Sequence, residues 1–528
     1  MTQTTLTSDK KNNKKSRAEE LAEGQRAISI SEFFEKNRRL LGFDNPRKAL
    51  LTTVKEAVDN SLDAAEEMKV LPEIRVFIEP TTEDRYKVTV EDNGPGIVKE
   101  QIPRIFGKLL YGSKFHRLKQ SRGQQGIGIS ASQLYGQLTT GKPIKIISKT
   151  GPKARGHYYE LHLNTKNNEP EIIKDEIREW DKKHGTKLQI ELEGRYHKGK
   201  LSVDEFLQLT AIANPHTTIV YKAPNAEVVE FPRASKVLPK DAKEVKPHPH
   251  GVELGILIKM LKDTSASTLQ KFLTSEFSRV SSSKAKQICA NAGLYEKARP
   301  KRIARNEADN LFKVIKGTKL MAPPTDCLAP ISEDQMMKGL KKEMDAEFYT
   351  AVTRPPAVYR GNPFQIEVCL GYGGSLSGDS LAKVIRFANR VPLQHQAGAG
   401  IITKAVMQTA WKNYGLSQSR GALPSGPLVI MVHMASVWVP FTSESKEAIA
   451  SYPQIEKEMK LALQEAGRKL ASYVRKKRKA ADEHKKKSYI EKYLPHIGIG
   501  LKEILELTDK EEKAMLVILK ETLEKSRK

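Results

Sequence analysis

The chain has 528 residues and carries 89 Lys and Arg against 63 Asp and Glu, a formal charge of +26. Single hydrophobic cores stop growing at roughly 250 to 300 residues, so two to four domains are expected, and a field of this sign draws polyanions, nucleic acid first. The plainer account of the charge is a lysine-rich, well-solvated surface. Three scattered cysteines, Cys289, Cys327 and Cys369, exclude a disulfide framework and a CxxC zinc site and fit a reducing, intracellular setting.

Residues 1–28 read as a disordered basic tail, with Lys10, Lys11, Lys14 and Lys15 but no apolar run of the kind a signal peptide needs. From Ser29 to Glu67 the apolar spacing is helical; Leu51, Val54, Ala57, Val58, Leu62 and Ala65 continue one face, and two helices are predicted before the first strand. Alternation at Ile74–Ile78 and Tyr86–Val90 around the polar turn Thr81–Asp84 predicts a hairpin. Further strands are predicted at 144–148, 157–163 and 186–192, so the region to about Phe231 mixes helices with a largely antiparallel sheet, an α+β fold.

Proline and lysine punctuate 232–250, a linker composition. Val252 to Ile315 offers only short amphipathic helices, separated at Thr264-Ser265, Ser281–Ser283 and Pro300. Period-two patterning returns at Ile366–Leu370 and Val429–Val439, predicting a third, α/β domain. The apolar run Leu428–Phe441 is shorter than the roughly 20 residues a membrane span requires and reads as a buried strand. A long helix follows, with Tyr452, Ile455, Met459, Leu463, Ala466, Leu470 and Tyr473 spaced as one stripe. Its far end, Arg475–Lys479 and Lys485–Lys487, is densely basic: either a solvated surface or a nucleic-acid contact.

Several segments carry chemistry. The nearest approach to a Walker loop, Gly373–Ser380, puts Asp379 where the phosphate-binding lysine belongs and reads as an ordinary glycine-rich turn. Within Lys55–Ala64, Glu56 and Asn60 stand four apart, so a helix stacks a carboxylate able to activate water beside an amide oxygen able to ligate Mg²⁺. Glu91–Ile97 follows a strand; Asp92 offers an acceptor, and Gly94 and Gly96 let a ligand approach the backbone. Gly123-Gln124-Gln125-Gly126-Ile127-Gly128-Ile129-Ser130 opens a helical stretch whose first N–H groups could cradle phosphates. Each, taken singly, has a plain reading as a solvent-facing helix or a turn.

In this order, and with Gly185-Thr186 before a strand, these segments resemble the four motifs of the ATPase superfamily that unites gyrase, chaperones, histidine kinases and mismatch-repair proteins. Phe106–Lys114, followed by Arg122–Gly126, resembles more closely the topoisomerase VI B subunits, the ATP-binding subunits of type IIB topoisomerases. Pro247–Glu253 resembles the approach to that family's helix–two-turns–helix insertion, and Val439–Ile449 resembles its transducer.

The resemblance implies a multidomain α+β chain: a Bergerat-type ATPase sandwich with an N-terminal strap at 29–231, linker and helix–two-turns–helix at 232–318, an α/β transducer at 319–475, and a basic helical extension at 476–528. It implies ATP and Mg²⁺ as cofactors. Glu56 would be the general base, Asn60 the Mg²⁺ ligand, Asp92 the acceptor for the adenine amino group, and Thr186 a support for that contact through an ordered water. Gly112, Ser113 and Gly123–Ser130 would line the lid, and Lys446 would reach the γ-phosphate. Two copies would dimerise on ATP, exchanging the strap Ser29–Phe43, and would assemble with a DNA-cleaving A subunit in an A2B2 heterotetramer that passes one double-stranded DNA through another. A cytoplasmic, nucleoid-associated protein with no membrane partner is implied. Consistent with a separate cleaving subunit, the chain has no Asp-x-Asp pair and no HExxH motif; the stripe Tyr452–Tyr473, with the segment to Lys528, is the expected contact with the A subunit. The alternatives are a chaperone- or repair-type ATPase of the same superfamily and a DNA-binding scaffold with a degenerate nucleotide site.

Overall fold

In the computed structural model, residues 29–112, 118–123, 126–443 and 446–525 are described; the basic tail at 1–28 and the lid positions Ser113, Gln124 and Gln125 lie outside them. The chain forms two compact units, one of residues up to 116 with 123–205 and 218–231, the other of 117–122, 206–217 and everything from 232.

The first unit is built on an eight-stranded sheet of β1 (Glu73–Thr82), β2 (Arg85–Glu91), β3 (Ile144–Lys149), β4 (Gly156–Asn164), β5 (Glu169–Arg178), β6 (Gly185–Glu193), β7 (Thr218–Lys222) and β8 (Val228–Phe231), in the order β5-β4-β3-β6-β2-β1-β7-β8. Neighbours are antiparallel except β1 and β7. Alternating burial along β3, β4 and β6 leaves one face to be covered. The Pro46–Glu67 helix covers it with Leu50, Val54, Ala57, Val58 and Leu62; Pro46 occupies its first turn, and the Asn45 side chain accepts from Lys48 N–H. The Gly128–Thr140 helix lies beside it, so close to β6 that a Cβ on Gly136 would stand 2.7 Å from the Glu191 carbonyl. Ahead of both, the capped helix Ile30–Leu41 lies on its own unit: Phe34 is buried, Ile30 N–H donates to Thr165, and Phe43 stacks on Tyr135. The segment expected to serve as an exchanged strap thus covers its own chain here, with Phe33 and Leu40 left exposed.

In the second unit, helices Leu254–Asp263, Leu269–Glu276, Ser282–Asn291 and Arg305–Gly317 enclose a small core of Leu257, Leu261, Phe272, Leu273, Ile288 and Leu311. Thr268 and Ser281 cap two of them. A six-stranded sheet follows: β9 (Phe348–Thr353), β10 (Ala357–Tyr359), β11 (Asn362–Tyr372), β12 (Lys383–Ala388), β13 (Val391–Pro392) and, after the small pair β14 (Ser417–Gln418) and β15 (Pro424–Ser425), β16 (Leu428–Ser436). Every residue of β16 is buried, between antiparallel β11 and parallel β12. The glycine-rich segment after β11 is a turn, with Gly373 and Gly374 at φ +79° and +65°.

Helix Pro453–Leu505 has 53 residues, about 80 Å at 1.5 Å per residue. Its stripe is spent at home: Ile455, Met459, Leu463, Ala466 and Leu470 are fully buried in the core of this sheet, and Phe348 stacks on Tyr473. That corrects the expectation that Tyr452–Tyr473 faces another subunit. Exposed apolar side chains lie farther on, at Tyr489, Tyr493, Ile497 and Ile504, and at Ile518 of the returning helix Asp509–Lys525.

Candidate ATP site

The Pro46–Glu67 helix places Glu56 and Asn60 one turn apart, both half-buried. Glu56 lies against the start of the Gly128–Thr140 helix: a Cβ on Gly128 would fall 1.8 Å from Glu56 Oε2. Any side chain there would have to displace the Glu56 carboxylate. No side chain caps that helix start, so its first N–H groups and the positive end of the helix dipole face the same space as the carboxylate.

Asp92, just after β2, is buried. Its Oδ1 accepts from Gly94 N–H (2.9 Å) and Thr186 N–H (3.1 Å), and its Oδ2 from the Ser61 hydroxyl (3.0 Å). Burial pushes its pKa above the ordinary carboxylate range, against the opposing pull of Gly94, Thr186 and Ser61. The turn around it requires glycine at two places, Gly96, at φ +71° and against the Lys149 carbonyl, and Gly185, at φ +135° and against the Asp92 carbonyl, while a Cβ on Gly94 would press on Ala64 at 3.1 Å. Thr186 joins this group through its hydroxyl, 3.0 Å from Ser148, which also accepts from Ile97 N–H and lies 3.1 Å from the Gly185 carbonyl. Sequence reasoning missed Ser61, Ser148 and His184, whose Nδ1 lies 2.8 Å from the Gly94 carbonyl. Ser61, next to Asn60 on the same helix, had a signal; Ser148 and His184 had none short of the strand register.

Among the lid positions, Gly112 and Gly126 are exposed, and Gly123 and Ile127 are half-buried. Two others have side chains occupied elsewhere. Ile129 is buried, and the Ser130 hydroxyl donates to the carbonyls of Ile105 and Lys108 (3.3 and 3.2 Å), which leaves those two only their backbone to offer a ligand. Lys446 belongs to the second unit. It is buried, adopts φ +53°, and donates from Nζ to the Arg122 carbonyl at 3.3 Å.

Two family models match the chain: histidine kinase-, DNA gyrase B- and HSP90-like ATPase at residues 45–167, and the topoisomerase VI B subunit transducer at 323–486. Among curated proteins, the type 2 DNA topoisomerase 6 B subunit of Methanococcoides burtonii is 51% identical over 93% of this chain and 79% of its own length. That of Methanosarcina barkeri is 50% identical over the same shares. The Archaeoglobus fulgidus protein of that name is 48% identical over 91% of this chain and 80% of its own.

Proposed function

The chain belongs to the type 2 DNA topoisomerase 6 B-subunit family, and from that premise we propose that Glu56, Asn60, Asp92 and Lys446 divide the work of its ATPase site. It is the ATP-binding, ATP-hydrolysing subunit of a type IIB topoisomerase. The observation that carries the assignment is the setting of Asp92, a buried carboxylate held by donors of its own fold behind backbone that only glycine can form. The adenine amino group donates to Asp92, and Thr186 and Ser148 hold the water beside it. Phosphates lie along the glycine lid, against the N–H groups at the start of the Gly128–Thr140 helix. Glu56 takes the proton from water as its oxygen bonds to the γ-phosphorus and the bond to ADP breaks; Lys446 meets the charge on the γ-phosphoryl oxygens. The Asn60 amide oxygen would hold Mg²⁺, which would supply charge neutralisation at the phosphates.

ATP closes two copies into a dimer, and the transducers pass that closure to an A subunit that cuts one double-stranded DNA while a second passes, relaxing and decatenating DNA in the cytoplasm at the nucleoid. With the Tyr452–Tyr473 stripe consumed by its own sheet, the A subunit docks on the helices beyond it, where Tyr489, Tyr493 and Ile504 are exposed. No described helix is long and apolar enough to cross a membrane. The test is ATP turnover by the purified chain, wild type against Glu56→Ala, with and without DNA and the A subunit. DNA-stimulated turnover that drops about 10²- to 10⁴-fold in the variant, while ATP still dimerises it, supports the assignment. A wild-type chain that binds no ATP overturns it in favour of a scaffold.

A further inference from the structure

β12 carries an arginine where its pattern calls for an apolar residue. Ile385 and Phe387 belong to the core on one side of the sheet. The alternate side, where Arg386 stands opposite Val432, is lined by Ile401, Ile402 and Val406. Arg386 is only 5% exposed there, and burial pulls its pKa down to about 10. Its Nη2 donates to the carbonyls of Gln394 and His395 (3.2 and 2.9 Å). Its Nη1 is buried with no hydrogen-bond partner. Among the described residues no carboxylate stands within ion-pair distance of it, and Glu447, on the adjoining segment, accepts from the Gln396 amide. A guanidinium taken out of water without a counter-charge is strongly unfavourable, and buried charges in proteins are paired.

That nitrogen stands at the start of a helix. Helix Ile401–Gln408 begins after Gly400, where a Cβ would lie 3.7 Å from Arg386 Nη1 and 3.3 Å from the Ala448 Cβ. No side chain caps this start. Ile401 N–H donates to the Ile449 carbonyl (3.0 Å), and the N–H groups of Ile402 and Thr403 follow in the same open turn. Thr403 is itself buried, with its hydroxyl unpartnered. A cation beside a helix N-terminus is opposed by the dipole rather than helped by it, so two positive features are set together out of water. Packing gives no reason for the choice, since a methionine would fill a similar volume. The loop 396–399 that leads to Gly400 is exposed and gives a solute its approach.

We infer that this is a binding site for a small, free oxyanion of the phosphate class, held by Arg386 Nη1 and the first-turn N–H groups of helix Ile401–Gln408. A guanidinium edge and backbone donors at a helix start suit the oxygens of such an ion. The burial of Arg386 selects a free ion over a phosphate within a DNA backbone, which would bring its sugars and neighbours with it. Every residue of the site lies in the second unit. Bound there, the ion draws β12, the 394–395 carbonyls and the helix start onto one ligand and stabilises the transducer sheet.

The experiment titrates the full chain with inorganic phosphate against chloride at constant ionic strength, without nucleotide and with ADP present, and reads the melting temperature. Wild type should gain roughly 2 °C or more for each tenfold of phosphate above half-saturation, with or without ADP. Arg386→Met, which removes the charge and keeps an apolar stem, is expected to lose that gain and, in chloride, to melt at or above wild type. Arg386→Lys keeps the charge without the planar fork and should need about tenfold more phosphate, the loss of one charged hydrogen bond. A wild type indifferent to phosphate overturns the site and leaves Arg386 a clamp on the Gln394 and His395 carbonyls. So does an Arg386→Met chain that gains as wild type does, which places the ion elsewhere on the basic surface. If the methionine variant fails to fold, a lysine variant with wild-type half-saturation is the overturning result. Acetate should shift wild type less than phosphate, and an equal or larger shift overturns the phosphate class. Double-stranded DNA should shift wild type and Arg386→Met alike; a DNA shift lost with Arg386 overturns the choice of a free ion. None of these readings uses ATP turnover, so their failure leaves the ATPase assignment standing.

Discussion

Asp92 works by being costly. Its carboxylate is buried and its pKa raised, so burial opposes the charged form, and a ligand that donates to it recovers part of that cost. A group whose folded pKa lies above its unfolded value contributes stability below the unfolded pKa and loses it as pH rises through the folded one. Asp92→Asn is expected to melt at the same temperature as wild type or higher at pH 7.5, an advantage that shrinks as the pH falls and the wild-type carboxyl takes up its proton. ATP affinity should nonetheless drop about 10- to 100-fold, since the new amide sets a donor against the adenine amino group and a hydrogen bond to a charged acceptor is worth about 1.5–3 kcal/mol. Melting curves across pH and calorimetric titration with ATP check both halves; an Asn variant that binds ATP normally would remove Asp92 from the site. Gly128 makes the complementary case. With 1.8 Å between its absent Cβ and Glu56, Gly128→Ala must push the carboxylate aside, and turnover should fall far more than ATP binding does.

At the scale of elements, legibility followed burial. The Pro46–Glu67 helix was readable because a fully buried face leaves a complete 3.6-residue period, and β3, β4 and β6 because one face is dry and the other wet. β5 was not: as a sheet edge with Ile172, Ile173 and Ile177 exposed it lacks the alternation. The stripe of the long helix was readable as apolar, but a stripe names no partner, and its own sheet proved to be the partner. Glu367 and His433 were hidden inside apolar strands, yet they stand directly opposite in the β11–β16 register, a pairing that only strand alignment exposes. Burial keeps His433 neutral with its pKa lowered. Burial alone would raise Glu367, but His433 and the Ile331 and Ser332 amides outweigh it and hold the carboxyl below its usual range. Both depressed values act in one direction: stability is present above the unfolded pKa values and drains as pH falls, beginning below about 6.5 for His433. The melting temperature of wild type should fall between pH 6.5 and 5, and His433→Gln should flatten that slope while lowering the whole curve. Glu367→Ala should cost about 1–3 kcal/mol in denaturant unfolding for each buried donor it strips of its acceptor, Ile331 N–H first.

Over the whole molecule, the charge of +26 requires a counter-surface, and the small helical module offers one. Lys286, Lys297, Arg299, Lys301, Arg302 and Arg305 are all exposed on it. Of these six, only Lys286 stands within ion-pair distance of a carboxylate among the described residues, Glu296 at 3.7 Å. These cations stand outside the module's apolar core, where they raise the local positive field that a polyanion meets. Binding of DNA through them displaces condensed counterions, so the logarithm of affinity should fall linearly with the logarithm of salt, by about 0.9 for each phosphate neutralised. Replacing Lys297, Arg299, Lys301 and Arg302 by alanine should reduce that slope by roughly one for each phosphate left without its cation, evenly across DNA sequences, because phosphate contacts carry no base information. ATP binding and basal turnover in the absence of DNA should stay as they are, while stimulation by DNA weakens most at high salt. An unchanged slope in the fourfold variant would move the DNA contact elsewhere, with the basic stretch Arg475–Lys479 of the long helix next to be substituted and titrated in the same way.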